Sequence, residues 1–397
     1  MSFSTTTGLA LKNLCISPRL GATLTDQLND CYKQLTEYSI IRSFPRVSIV
    51  KQTVFISVAN NAEYIQSKQK LLSCAKEYFE KIPPTSIIAQ HPENGSLVME
   101  ITSIEGLLPE QIKYRQNDDS TWLVVDRCGM KMLFASCTGE KHLNGTVLEQ
   151  SQEAFHQVQN ILSSEGMRFS DIIRQWNYIE KITGFLDRNN STSQHYQMFN
   201  DVRSKFYNQA DFSNGFPAAT GIGTDFGGIS IDIIAAEPGP DCRSVAIKSP
   251  VQQDAYKYTQ EVLAENSCMS DFCRTSPKFE RARVLDTPEY KWIFISGTAA
   301  IKGQISIPIL SAEVQTEMTL QNILSLTSPE NLMKHGVGTG HKARLDHLRV
   351  YVKYPKDLKQ VQETCQQHFP HLPTIYLIAD ICRPELLVEI EGLAVTT

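Results

Sequence analysis

Apolar residues along the chain switch between two periods. Arg46–Val58 is a strong strand run, and Tyr64–Phe79 follows with helical spacing. Met132–Ala135 predicts a short buried strand. Leu148, Ala154, Phe155, Val158, Ile161 and Leu162 then recur as on one helix face, and Ile172–Ile179 reads as another strand. The same order returns later. Trp292–Ile295 predicts a strand, Val314, Met318, Leu320, Ile323 and Leu324 a helix, and Leu345–Tyr354 a strand. Words recur too: Gln159-Asn-Ile-Leu-Ser163 is repeated as Gln321-Asn-Ile-Leu-Ser325, and Met132–Cys137 resembles Trp292–Gly297. A repeat of about 160 residues is too long for a solenoid. It predicts an α+β fold of two domains made by duplication, with mixed sheets packed by helices. The second copy adds an amphipathic helix, Asp357–Phe369, and strands at Thr374–Ala379 and Leu386–Val395. Turn formers across Leu186–Gln194 set the boundary there, giving domains 1–190 and 191–397.

Composition narrows the function classes. The 397 residues are 41% hydrophobic and 20% charged, ordinary values for a water-soluble globular chain. A net charge of −5 offers no basic face for nucleic acid, although a local arginine cluster can still hold a small anion. No run approaches the ~20 apolar residues of a membrane span. The first residues, Met1–Leu20, lack the basic start and apolar run of a secretory signal, so a cytoplasmic location is expected. Ten scattered cysteines with no CxxC pair read as reduced thiols. His335, His341 and His347 are spaced six and six, which fits no common ligand set, so neither metal nor cofactor is expected.

Three segments could carry chemistry. Phe216-Pro-Ala-Ala-Thr-Gly-Ile-Gly223, followed by Gly227-Gly228, reads as a structural turn leading into a strand at Ile229–Ala236. It lacks the ending of a P-loop, but its amides could form an anion nest. Phe279-Glu-Arg-Ala-Arg283 presents arginines that are solvated unless they converge on a dianion. Near the C-terminus, Arg383-Pro-Glu breaks two strands, and alternation puts Leu387, Glu389 and Glu391 on one face. That face reads either as solvated and acidic, or as a pocket wall where burial raises Glu389 into a general acid. Cys382 reads as a buried core thiol.

The ending Val388-Glu-Ile-Glu-Gly-Leu-Ala394, after Cys382-Arg383, resembles the YjgF/RidA-like superfamily, whose fold is chorismate-mutase-like. That resemblance implies Glu389 and Arg383 as an active pair. From about residue 170 the chain more closely resembles the chorismatases. The matching pieces include Trp176-Asn-Tyr178, Tyr196-x-x-Phe199 with Arg203, and Pro217-Ala-Ala-Thr-Gly-Ile-Gly223. Phe279-x-Arg281-Ala282, Phe294-Ile-Ser-Gly-Thr-Ala299, Glu330-Asn-Leu332, His335-Gly-Val337 and Gly340-His341 follow in order. Asp346-His-Leu-x-Val-Tyr-Val352 and Leu386–Gly392 complete the set. Where the family often has Gly-His, this chain has Gly303-Gln304, and its first ~120 residues show no such match.

The resemblance implies two YjgF/RidA-like domains, a chorismate substrate, and a monomer or homotrimer. It implies Arg383, Arg281 and Arg203 as anchors for the two carboxylates, with Tyr196, Tyr207 and Gly221 beside them. Glu389 would protonate the enolpyruvyl methylene and so release pyruvate. Two positions that separate hydroxybenzoate-forming members from hydrolysing ones fall on Gly297 and Cys382; the hydrolysing members carry alanines there. The expected product is therefore 3-hydroxybenzoate, with 4-hydroxybenzoate beside it or a dihydroxycyclohexadiene carboxylate as the alternative. An imine or enamine deaminase, or a non-catalytic small-molecule binder, are the readings from other classes.

Overall fold

Three stretches of chain fold with one strand order. The first holds β1 (Ala10–Ile16), α1 (Leu24–Ile41), β2 (Ile49–Ile56), α2 (Asn61–Tyr78), β3 (Thr85–Ala89), β4 (His91–Pro92) and β5 (Leu97–Glu105). The second holds β6 (Ile112–Gln116), β7 (Thr121–Arg127), β8 (Met130–Thr138), α3 (Val147–Ser164), β9 (Ile172–Glu180), α4 (His195–Tyr207), β10 (Ala218–Thr224) and β11 (Ile229–Glu237). The third opens with β12 (Arg243–Ile247), α5 (Gln260–Leu263), β13 (Ala282–Asp286), β14 (Lys291–Ala299), β15 (Ile301–Lys302) and β16 (Ile305–Ser306). It closes with α6 (Ala312–Leu326), α7 (Pro329–Lys334), β17 (Arg344–Val352), α8 (Leu358–His368), β18 (Thr374–Ile378) and β19 (Val388–Thr396). The computed structural model describes residues 10–41, 48–117, 120–127, 129–186, 194–263, 274–308, 310–338 and 341–396.

The sheet orders make the repeat explicit: β1-β5-β2-β3, β8-β11-β9-β10 and β14-β19-β17-β18. In each, the last strand inserts antiparallel between the first two, and the third lies parallel to the second. The α+β class and its duplication are therefore present, and the unit extends to a third, N-terminal copy. The division expected at residue 190 falls inside the second sheet, between β9 and β10. Most of the turn-rich stretch that suggested it, residues 187–193, lies outside the described residues.

Two helices cover the outer face of each sheet. Leu28, Leu71, Val54 and Met99 pack in the first unit. Phe155, Val158, Phe199 and Ile231 pack in the second, and Leu320, Ile323, Val361 and Val350 in the third. Local signals start these helices: Thr146 and Glu149 form a capping box on α3, while Asn60 and Ser311 cap α2 and α6.

Ala218–Thr224, expected as a turn, is a strand. Its glycines mark close approach rather than a bend. A Cβ at Gly221 would stand 3.0 Å from the Tyr196 ring, and one at Gly223 would stand 2.8 Å from the Asp380 carbonyl oxygen. The third unit docks on this edge. Ile222 bridges to Ile381, Ala218 to Glu280, and the Gly223 amide donates to Asp380.

The inner sheet faces meet around a ring of charge. Register makes Glu100, Asp232 and Glu391 equivalent, opposite Thr53, Trp176 and Arg349 respectively. Two residues before those partners stand Lys51, Arg174 and His347. Each cation pairs with the acid of the next unit: Lys51 with Asp232 at 2.8 Å, Arg174 with Glu391, and His347 with Glu100 at 3.2 Å. All six side chains are buried. Isolated charges could not be held there, so the pairs fix the register in which the units meet. One turn of this ring places the first, second and third units in a closed cycle.

Candidate active site

The boundary between the second and third units opens into a cleft. From the second unit it takes Tyr196, Gln197 and Asn200 on α4, and Ala219 and Gly221 on β10. From the third it takes Gly297 on β14, Cys382, Arg383, and Glu389 on β19. Among the described residues its charged lining is Arg274, Arg281, Arg383 and Glu389.

Glu389 is 5% exposed. Burial raises its carboxyl, the Glu391 carboxylate two residues along the same face adds to this, and Arg174 and Arg281 oppose; the balance lies at about 8. Glu391 behaves oppositely. Burial would raise it, but Arg174 and Arg349 outweigh burial and hold it below the ordinary carboxylate value. It accepts from Trp176 Nε1 at 2.9 Å, Arg349 Nη1 at 3.1 Å and Tyr351 Oη at 3.0 Å. One strand thus carries, two residues apart, a carboxyl held ionised and a carboxyl that burial keeps protonated up to about pH 8. The solvated acidic face is excluded, since both side chains are interior.

Gly297 is needed for this arrangement. A Cβ there would overlap a Glu389 carboxyl oxygen and lie 3.1 Å from Thr220 Cγ2. The Gly297 amide donates to Thr220 Oγ1 at 3.0 Å, which ties β14 to β10 across the unit boundary.

Two arginines flank one ring. Arg281 Nη2 donates to Tyr258 Oη at 2.6 Å and to the Gln253 carbonyl at 2.6 Å. The Arg383 guanidinium lies 5.2 Å from the Tyr258 ring, and its Nη1 donates to the Gln304 carbonyl at 3.0 Å and to Ser306 Oγ at 2.9 Å. Gln304 also reaches across, accepting from the Thr259 amide at 2.9 Å. Gln304 therefore braces the β15–β16 hairpin against Thr259, next to the cleft-lining Tyr258. Cys382 is a neutral thiol, since burial and then the nearby Glu389 push it up to about 12.

Seven of the nine expected site residues line this cleft: Tyr196, Gly221, Arg281, Gly297, Cys382, Arg383 and Glu389. Gly221 contributes space for the Tyr196 ring rather than an amide nest. Arg203 and Tyr207 do not line it. Arg203 sits behind the cleft, donates to Asn200 Oδ1, and lies 5.7 Å from the Phe199 ring. Tyr207 belongs to the aromatic core of the second unit and donates to Gln175 Oε1 at 2.7 Å. Both lie further along α4, toward its C-terminal end, away from the residues that line the cleft. Sequence reasoning missed Tyr258 and Arg274, which come from irregular chain with no period to follow.

The family described as chorismatase FkbO/Hyg5-like, N-terminal, matches residues 110–235, which is the second unit. A 3-hydroxybenzoate synthase of Streptomyces hygroscopicus is 31% identical over 264 residues, covering 64% of this chain and 72% of that protein. The chain belongs to the chorismatase family. Another family member, a chorismatase of the same organism, is 33% identical over 225 residues, covering 56% of this chain and 61% of that protein. A chorismatase crystal structure shares the fold with a TM-score of 0.67 at 21% identity, over 97% of this chain and 99% of that one. Among the described residues, no helix is long and apolar enough to cross a membrane.

Proposed function

We propose that this chain converts chorismate to 3-hydroxybenzoate and pyruvate. The observation that carries this reading is a carboxyl group with a pKa of about 8 in a cleft whose other charged side chains are arginines. A dianion with an acid-labile enol ether suits that set. Arg281 and Arg383, with Arg274, face the two carboxylates through forked, charge-assisted hydrogen bonds. Glu389 gives its proton to the enolpyruvyl methylene. The resulting oxocarbenium weakens the ether bond to the ring. The ring hydroxyl oxygen, keeping its proton, then displaces that ether, pyruvate departs with the bridging oxygen, and the protonated arene oxide opens to the phenol. Ring proton loss restores the proton that Glu389 spent.

Incubation of the pure protein with chorismate tests this. Pyruvate and 3-hydroxybenzoate are expected in equal amounts. Because the donor must be protonated, turnover should hold below the Glu389 pKa and fall as pH rises through about 8. A rate that climbs through that range would remove Glu389 from the donor role, and absence of pyruvate would reject the function.

The product branch rests on Gly297 and Cys382. Gly297→Ala places a methyl against the Glu389 carboxyl, which must swing away and narrow the space for the ring. The variant is expected to make dihydroxycyclohexadiene carboxylate alongside 3-hydroxybenzoate, as separated by chromatography. Unchanged products would dissociate this position from the branch.

A further inference from the structure

A second cavity lies against two of the three ion pairs of the charge ring, Arg174–Glu391 and His347–Glu100, and shares no lining residue with the cleft described above. Its volume is about 40 Å³, and its polar lining includes Asn13, Glu100, Arg174, His347, Arg349 and Glu391. A water needs about 10–15 Å³ on that measure, so there is room for a halide with a water beside it.

The lining does not balance. Arg174, His347 and Arg349 contribute three cations against the two carboxylates of Glu100 and Glu391. His347 counts as a cation. Burial alone would push its pKa down, but the Glu100 carboxylate 3.2 Å away outweighs burial and holds it up to about 10. Both carboxylates are saturated with donors. Arg349 Nε donates to Glu100 at 2.8 Å, and Trp176, Tyr351 and Arg349 all donate to Glu391 Oε1. Donors are left over instead. Arg174 is 2% exposed, and its Nη1 has no hydrogen-bond partner among the described residues. A surplus positive charge and a surplus donor, both buried, ask for a negative guest.

We propose that this cavity binds a small monovalent anion of halide size. The guest offsets the surplus positive charge beside Arg174 Nη1, and it belongs to the assembly of the three units rather than to the reaction.

Thermal unfolding of the full chain in sodium chloride and in sodium gluconate, at matched ionic strength, tests this. The melting temperature is expected to climb with chloride concentration and to stay flat in gluconate, as linkage to a folded-state ligand requires. Crystals soaked in bromide should show an anomalous peak within hydrogen-bond distance of Arg174 Nη1. Asn13→Asp supplies the charge internally. Asn13 Oδ1 accepts from Thr102 Oγ1 at 3.0 Å, and an aspartate oxygen can accept the same bond, so the variant should fold as the parent does. It should lose the chloride response. Equal melting in both salts with no bromide peak means the cavity holds water only and overturns the proposal. A chloride response that survives in Asn13→Asp places the anion elsewhere and overturns it equally.

Discussion

Glu389→Gln is expected to abolish nearly all pyruvate release while the melting temperature stays close to that of the parent. The two halves of that result have separate causes. Glu389 is protonated at neutral pH, so a neutral amide of the same shape meets the same surroundings and folding changes little. An amide, however, cannot deliver a proton to carbon. General acid catalysis is worth about 10²–10⁴-fold, and a loss of that size should appear in kcat with KM little altered. Continuous pyruvate detection gives the rate, and circular dichroism gives the fold. A variant that turns over near the parental rate would mean that the proton comes from elsewhere.

Arg383→Ala should have the opposite signature. Its guanidinium stands at the cleft wall, oriented by the Gln304 carbonyl, Ser306 and the Tyr258 ring. Removing one member of a desolvated, hydrogen-bonded charge pair costs about 2–5 kcal/mol, or roughly 30- to 4,000-fold in kcat/KM. The loss should fall mostly on KM, because the contact exists in ground and transition states alike. Arg383→Lys should recover only part, since an ammonium lacks the fork. Steady-state kinetics with chorismate decide the matter. A KM equal to the parent's would show that Arg383 shapes the hairpin and does not hold substrate.

Much of the second and third units was legible from periodicity. β8, α3 and β9, and then β14, α6 and β17, lie where the alternating and helical runs placed them. The first unit was half legible: β2 and α2 stood out, but no shared word linked them to the later copies. What survives in all three is register, which no linear pattern displays. The charged face of β19 shows the same limit. Alternation tells which residues share a face, and it correctly grouped Glu389 with Glu391. It cannot tell what that face meets, and here it meets two other sheets. Position along a helix was equally hidden. Tyr196, Arg203 and Tyr207 share α4, yet only the first reaches the cleft, because depth is set by the sheet beneath.

The ring of three units on one chain has a consequence for how such a protein can change. A trimer of identical subunits must write every substitution into all three of its boundaries at once. Here each boundary is spelled separately. By register, the place held by Glu389 in the third unit is held by Ser230 in the second and Val98 in the first. The buried carboxyl stands at one boundary, and the other two carry a hydroxyl or an isopropyl group at that place. A single gene thereby keeps two seams as joinery and leaves the third free to be tuned for chemistry, one residue at a time.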